Sequence, residues 1–186
     1  MNKRISVRLI TYCAMLIAVE IVLNRFCSYN STFQKIGLSF IPIIITANLL
    51  GPACAAIVYG LADLIGALLF PIGPYHPGFT ICAAAMGFVY GIFLYKKPGS
   101  DKKIRFFPNI ITPVLINNIV FSLFINTAWI AMLYSSKTYG GYFLARLPEA
   151  VIQIVVSMIL IPTLIKLCSQ LRKVIKSHLP NKEVSQ

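Results

Sequence analysis

The stretch FPIGPYHPGFT, residues 70–80, holds three prolines and two glycines in eleven positions and lies between two strongly apolar runs. Inside a helix, each proline would remove a backbone donor and clash with the preceding turn. The segment therefore breaks the chain between two helices. A second break stands upstream in LLGPAC, residues 49–54, where Gly can end one helix and Pro can open the next. Working outward from these two breaks gives six apolar spans, at about 8–26, 37–50, 52–70, 78–95, 108–133 and 144–171. The second is short and contains Pro42, which predicts a kink or tilt.

Composition sets the class. Hydrophobic residues make up 58% of the 186, charged residues only 12%, and the mean hydropathy is +0.78. Soluble domains carry about 25% charged residues, and a membrane helix needs roughly 20 apolar ones. The expected fold is an all-α integral membrane protein, a single six-helix membrane domain over residues 1–186. The five cysteines are scattered without ligand or pairing spacing, so neither a disulfide framework nor a metal site is expected. The basic start resembles a signal peptide, but no A-x-A-like site follows, and the first span is expected to be retained.

The net charge of +12 would suit nucleic acid, but its distribution suits a membrane better. All but Arg25, Lys35, Lys137 and Arg146 of the 17 Lys and Arg fall at the termini or in the 96–105 loop. With six spans these three regions share one side. The positive-inside rule makes that side, with both termini, cytoplasmic. The 70–80 corner then faces outward, and no nucleic-acid partner is expected.

Catalytic motifs are missing. The chain has no GxxxxGK[ST], HExxH or GxSxG, and its five acids and two histidines form no cluster suited to an intramembrane enzyme. Acids within spans are costly, at about 2.5–3.5 kcal/mol at the bilayer centre. Asp63 and Glu20 are read first as interhelical hydrogen-bond partners, and Glu149 as the i,i+3 partner of Arg146. A buried carboxylate such as Asp63 could also receive paired hydrogen bonds from a nitrogen heterocycle. Basic groups on the outer side are disfavoured, so Arg25 and Arg146 point to an anionic ligand, and guanidinium groups pair carboxylates in bidentate fashion. Phe33, Phe70, Tyr75, His76, Phe79 and Trp129 stand near the same mouth, while Tyr139 and Tyr142 read as interfacial belt residues. Asn117, Asn118 and Asn126 share the fifth span, and each needs a partner there. Rings, amides and arginines together suit a planar heterocycle with a negative tail.

Four motifs make the chain recognisable: SFIP at 39–42, GP at 51–52, DLIG at 63–66, and the FPxGxYxPGFT corner. Together they resemble the S components of energy-coupling factor vitamin transporters, above all the folate-specific branch. His76 departs from the aromatic residue expected in many relatives, which leaves its role open. The resemblance implies a small protein that captures one vitamin from outside, with no cofactor and no catalysis of its own. It then docks on a transmembrane scaffold driven by two ATPase subunits, in the cell membrane of a prokaryote. It further implies a folate site at Arg25, Phe33, Asp63, Phe70, Tyr75, His76, Pro77, Gly78, Phe79, Thr80, Asn117, Trp129 and Arg146, with Asp63 or Asn117 reading the pterin edge. Ala14 and Ala18 match the family's AxxxA docking motif. Riboflavin or thiamine as the vitamin, and a small membrane enzyme acting on lipid precursors, are the competing readings.

Overall fold

The computed structural model describes residues 7–30, 35–71, 73–95, 107–134 and 138–178. Helix α1 (Val7–Arg25) leads to a two-residue antiparallel pair, β1 (Tyr29–Asn30) with β2 (Lys35–Ile36), in which Tyr29 faces Ile36. Helices α2 (Phe40–Leu50), α3 (Pro52–Leu69) and α4 (Pro77–Leu94) follow. The fifth apolar stretch is π-helical at Phe107–Ile111 (π1), α-helical at Thr112–Leu115 (α5), π-helical again at Ile116–Ile125 (π2), and α-helical at Asn126–Leu133 (α6). Helix α7 (Tyr139–His178) closes the bundle. Among the described residues four stretches are long and apolar enough to cross a membrane: Pro52–Leu69, Pro77–Leu94, Pro108–Leu133 and Tyr139–Gln170. The described residues are thus almost wholly helical.

The two breaks read from the sequence are where helices meet. Gly51 adopts φ +93°, a conformation that residues with a Cβ avoid, and Pro52 opens α3 at a position whose N–H has no helical acceptor anyway. At the second break α3 ends at Leu69 with Phe70 as its C-cap, and α4 begins at Pro77 with His76 as its N-cap. Residues 77–80 are therefore the first turn of a helix, which begins one residue ahead of the start expected at about 78.

Helix α2 corrects an expectation. Pro42 sits in its first turn, where a missing N–H breaks no ladder bond, so proline imposes no kink. The helix is also short, about 16 Å at 1.5 Å per residue. Phe40, Ile43, Ile44 and Ala47 are buried against Ala55, Tyr90, Leu94, Val114 and Ile161. Asn48 Nδ2 donates to the Leu94 carbonyl (3.0 Å), tying α2 to the end of α4. This makes α2 the centre of the core, wrapped by other helices.

Small residues set the tightest packing. On α4, Gly87 lies against the Ala55 backbone and Gly91 against Pro52, while Gly60 of α3 faces Ala84. The strip through Ala83, Gly87 and Gly91 is thus internal. Ala14 and Ala18 lie on an exposed face of α1 beside Tyr12, Met15, Val19 and Val22. Tyr142 is no belt residue: it is fully buried, and its hydroxyl donates to the Tyr134 carbonyl (3.0 Å) just past α6.

Candidate functional site

Inside the bundle lies a cavity of about 310 Å³, at the lower end of the size usual for small-molecule sites. Asn24 and Arg25 of α1, Tyr59 and Asp63 of α3, and Phe79, Met86 and Tyr90 of α4 form part of its wall. Asn117 and Ser122 of π2, Asn126 of α6, and Arg146, Glu149 and Gln153 of α7 also line it, and Pro71, Gly73, Pro74 and Tyr75 contribute from the 70–80 corner.

The π winding explains why so many polar groups of one segment meet here. Asn117, Ser122 and Asn126 are five and four residues apart. In an α-helix, residues five apart point roughly 140° away from each other. In a π-helix they are hydrogen-bond partners one turn apart, so all three reach the cavity.

The charged groups divide into committed and uncommitted. Arg146 and Glu149 are both buried. Arg146 Nε donates to Glu149 Oε2 (3.2 Å) and Nη2 to Oε1 (3.5 Å), while Nη1 donates to Thr127 Oγ1 (3.1 Å) and Nη2 also to Ser122 Oγ (3.4 Å). Nearly all its hydrogen-bonding capacity is spent, and its charge is neutralised by Glu149. Asp63 Oδ2 accepts from Thr80 Oγ1 (2.9 Å). That bond uses the threonine proton, so the Tyr75 hydroxyl donates to Thr80 Oγ1 (2.9 Å). Arg25 is different: its Nε is buried without a hydrogen-bond partner among the described residues. Its guanidinium lies against Gly66, where an added Cβ would stand 3.1 Å from Nε. The G of the DLIG motif makes that room. Among the described residues no three His, Cys, Asp or Glu side chains converge as a metal site would require.

These features can be set beside known proteins. The model of the family "ECF transporter, substrate-specific component" matches residues 8–165. This chain belongs to that family. A folate transporter FolT of Clostridium novyi is 36% identical over 156 residues, which is 84% of this chain and 87% of the relative. A second FolT, of Leuconostoc mesenteroides, is 23% identical over 150 residues, 81% of this chain and 78% of that protein. A crystal structure described as FolT bound with folic acid superposes with a TM-score of 0.77 at 30% identity, covering 86% of this chain and 93% of that one. The family is the substrate-binding part of a membrane transporter, so this chain is not an enzyme.

Of the site residues read from the sequence, Arg25, Asp63, Tyr75, Phe79, Asn117 and Arg146 line the cavity of this S component. Phe33 lies outside the described residues. Phe70, His76, Pro77, Gly78, Thr80 and Trp129 are not on its wall. Most of these buttress it instead. His76 Nδ1 accepts from the Gly78 N–H (3.0 Å) and so caps α4, while its ring stacks on Trp129 at 4.7 Å. Gly78 must be glycine because a Cβ there would fall 2.5 Å from the Trp129 ring. Thr80 orients Asp63, and Phe70 packs edge-on against Phe26 at 5.4 Å. The sequence reading missed Tyr59, Tyr90, Ser122 and Gln153 as wall residues.

Proposed function

We propose that this S component binds folate or a related pterin vitamin from outside the cell and delivers it to a transmembrane scaffold with two ATPase subunits. Residues 1–186 form one membrane domain of six spans, counting α1 and the short α2, with both termini cytoplasmic, in the cell membrane of a prokaryote. The protein needs no cofactor of its own; ATP is used by its partners. The two FolT relatives and the folic-acid-bound FolT structure support this choice of vitamin. The observation that carries it is the Arg25 guanidinium, whose Nε–H is uncommitted at the edge of an aromatic and amide-lined cavity. A flat ring suits the walls, and a carboxylate suits the guanidinium.

Calorimetric titration of detergent-purified, ligand-free protein tests the proposal. Folate is expected to saturate one site, with no heat from riboflavin or thiamine. Arg25→Ala should weaken folate about 10- to 100-fold, the worth of a charge-assisted hydrogen bond. It should leave 6-methylpterin, which lacks both carboxylates, within about threefold by competition. Equal losses for both ligands would remove the case for a tail contact at Arg25, and silence with every vitamin would sink the folate reading.

The exposed face of α1 carries a second expectation. Small residues let helices approach closely in lipid, so Ala14 and Ala18 are placed to receive a partner helix. Ala14→Trp and Ala18→Trp should abolish folate uptake in cells that also carry the scaffold and ATPases, with binding to the purified variants unchanged. Lost binding would put this face to work inside the fold.

A further inference from the structure

A primary amide carries a donor end and an acceptor end, and which end faces a site normally has to be assigned from its partners. Two amides of the cavity wall have that assignment made by the backbone. Asn117 Nδ2 donates to the Met86 carbonyl (3.2 Å), and Gln153 Nε2 donates to the Gly37 carbonyl (3.2 Å). A carbonyl only accepts, so in both residues the nitrogen must face the backbone and the oxygen must turn the other way. Both oxygens, Asn117 Oδ1 and Gln153 Oε1, are buried without a hydrogen-bond partner among the described residues, and both residues line the cavity. Asn126 Oδ1 on the same wall is a third such acceptor.

We propose that Asn117 Oδ1 and Gln153 Oε1 accept hydrogen bonds from an N–H donor edge of the bound heterocycle and thereby set both its identity and its orientation. The proposal rests on the folate reading, in which that edge is the 2-amino group and N3–H of the pterin. Buried polar atoms are almost always paired, and clamped oxygens cannot rotate to serve any other ligand chemistry. They would repel a carboxylate or a ring carbonyl. Asp63, the other candidate for the pterin edge, already has one oxygen engaged by Thr80.

The opposite polarity comes from α1, whose Arg25 Nε–H has no hydrogen-bond partner among the described residues. A pterin with a carboxylated tail is then held at two unlike ends, its amino edge by the amide oxygens of π2 and α7 and its carboxylates by Arg25 of α1. Riboflavin presents a single N3–H flanked by two ring carbonyls, and those carbonyls would face the amide oxygens with like polarity.

The test pairs ligand and protein changes. Wild-type protein is titrated with folate and with its 2-desamino-2-methyl analogue, which replaces one donor of the edge by a methyl group. The expected preference for folate is at least tenfold. Gln153→Leu and Asn117→Leu should each weaken folate about tenfold or more while altering the analogue less than threefold, so the preference collapses. Wild-type protein that binds both ligands equally would overturn the proposal without any substitution, which keeps the test decisive should a variant fail to fold. A variant that weakens both ligands by the same factor would also overturn it, showing that the amide acts through the Met86 or Gly37 backbone. Absence of folate binding by the wild type would remove the reading beneath it, a result distinct from tight but donor-blind binding.

Discussion

Glu149→Ala is expected to destabilise the ligand-free protein by about 3–5 kcal/mol, the usual cost of removing one partner from a buried ion pair. Arg146→Ala is expected to cost less, and the double variant less than Glu149→Ala alone. The asymmetry follows from what each survivor can do. A buried carboxylate left alone can take up a proton and become neutral. A guanidinium cannot shed its proton, so Arg146 would remain charged with only Thr127 and Ser122 as acceptors. The pair is bidentate and only 6% exposed at each residue, which leaves little room for water to take the place of Glu149. Thermal unfolding midpoints of the four proteins in one detergent would measure this. Equal losses in the two single variants, or a double variant as unstable as the sum, would show that Arg146 and Glu149 do not act as one buried unit.

This pair also alters what Arg146 can be asked to do. Its position at the outer end of a span makes it look like a partner of Arg25 in holding a negative tail. The sequence also shows Glu149 one turn away, and the structure makes that second relation the dominant one. Arg146→Ala should therefore weaken folate and 6-methylpterin alike, through the fold, while Arg25→Ala separates them.

The helix breaks were legible because Gly and Pro restrict the backbone locally, whatever surrounds them. Gly51, Pro52 and Pro77 stand where a one-dimensional reading puts them. Charged and aromatic residues with few structural uses, such as Arg25, Asp63 and Phe79, were also readable as wall residues. Contacts made across the bundle were not. His76 and Trp129 are 53 positions apart and stack behind the site, so the same rings that suggest a binding surface serve as its buttress. The π winding of Ile116–Ile125 escaped as well, although Asn117, Ser122 and Asn126 fall at a spacing no α-helix would bring to one face. Gln153 left a signal too. It is the only amide in VIQIVVS, residues 151–157, and an amide in an apolar span has to find partners.

A single methyl at Gly91 should unseat α3 from α4. An added Cβ there would stand 2.8 Å from the Pro52 nitrogen and Cβ, and closer still to its Cα, while one at Gly87 would meet the Ala55 carbonyl. Where the obstacle is a flexible side chain, the neighbour turns aside. Here it is backbone at the first turn of a helix, so the whole element must move. Overpacking by a methylene costs about 1–3 kcal/mol in cores that can adjust, and Gly91→Ala is expected at or above the upper end of that range, with Gly87→Ala similar. The consequence reaches the cavity. Asp63 lies about 16 Å further along α3 than Pro52 at 1.5 Å per residue, and it meets Thr80 of α4 there. Spreading the helices at one end strains that bond at the other, along with the placement of Tyr59 and Phe79. Folate affinity should fall with stability in both variants. Gly140→Ala provides the control, since an added Cβ there meets nothing within 4 Å among the described residues and should change neither quantity. If Gly91→Ala unfolded and bound folate like the wild type, α3 and α4 would have enough slack to absorb a methyl, and close backbone approach could no longer be the reason for glycine at this position.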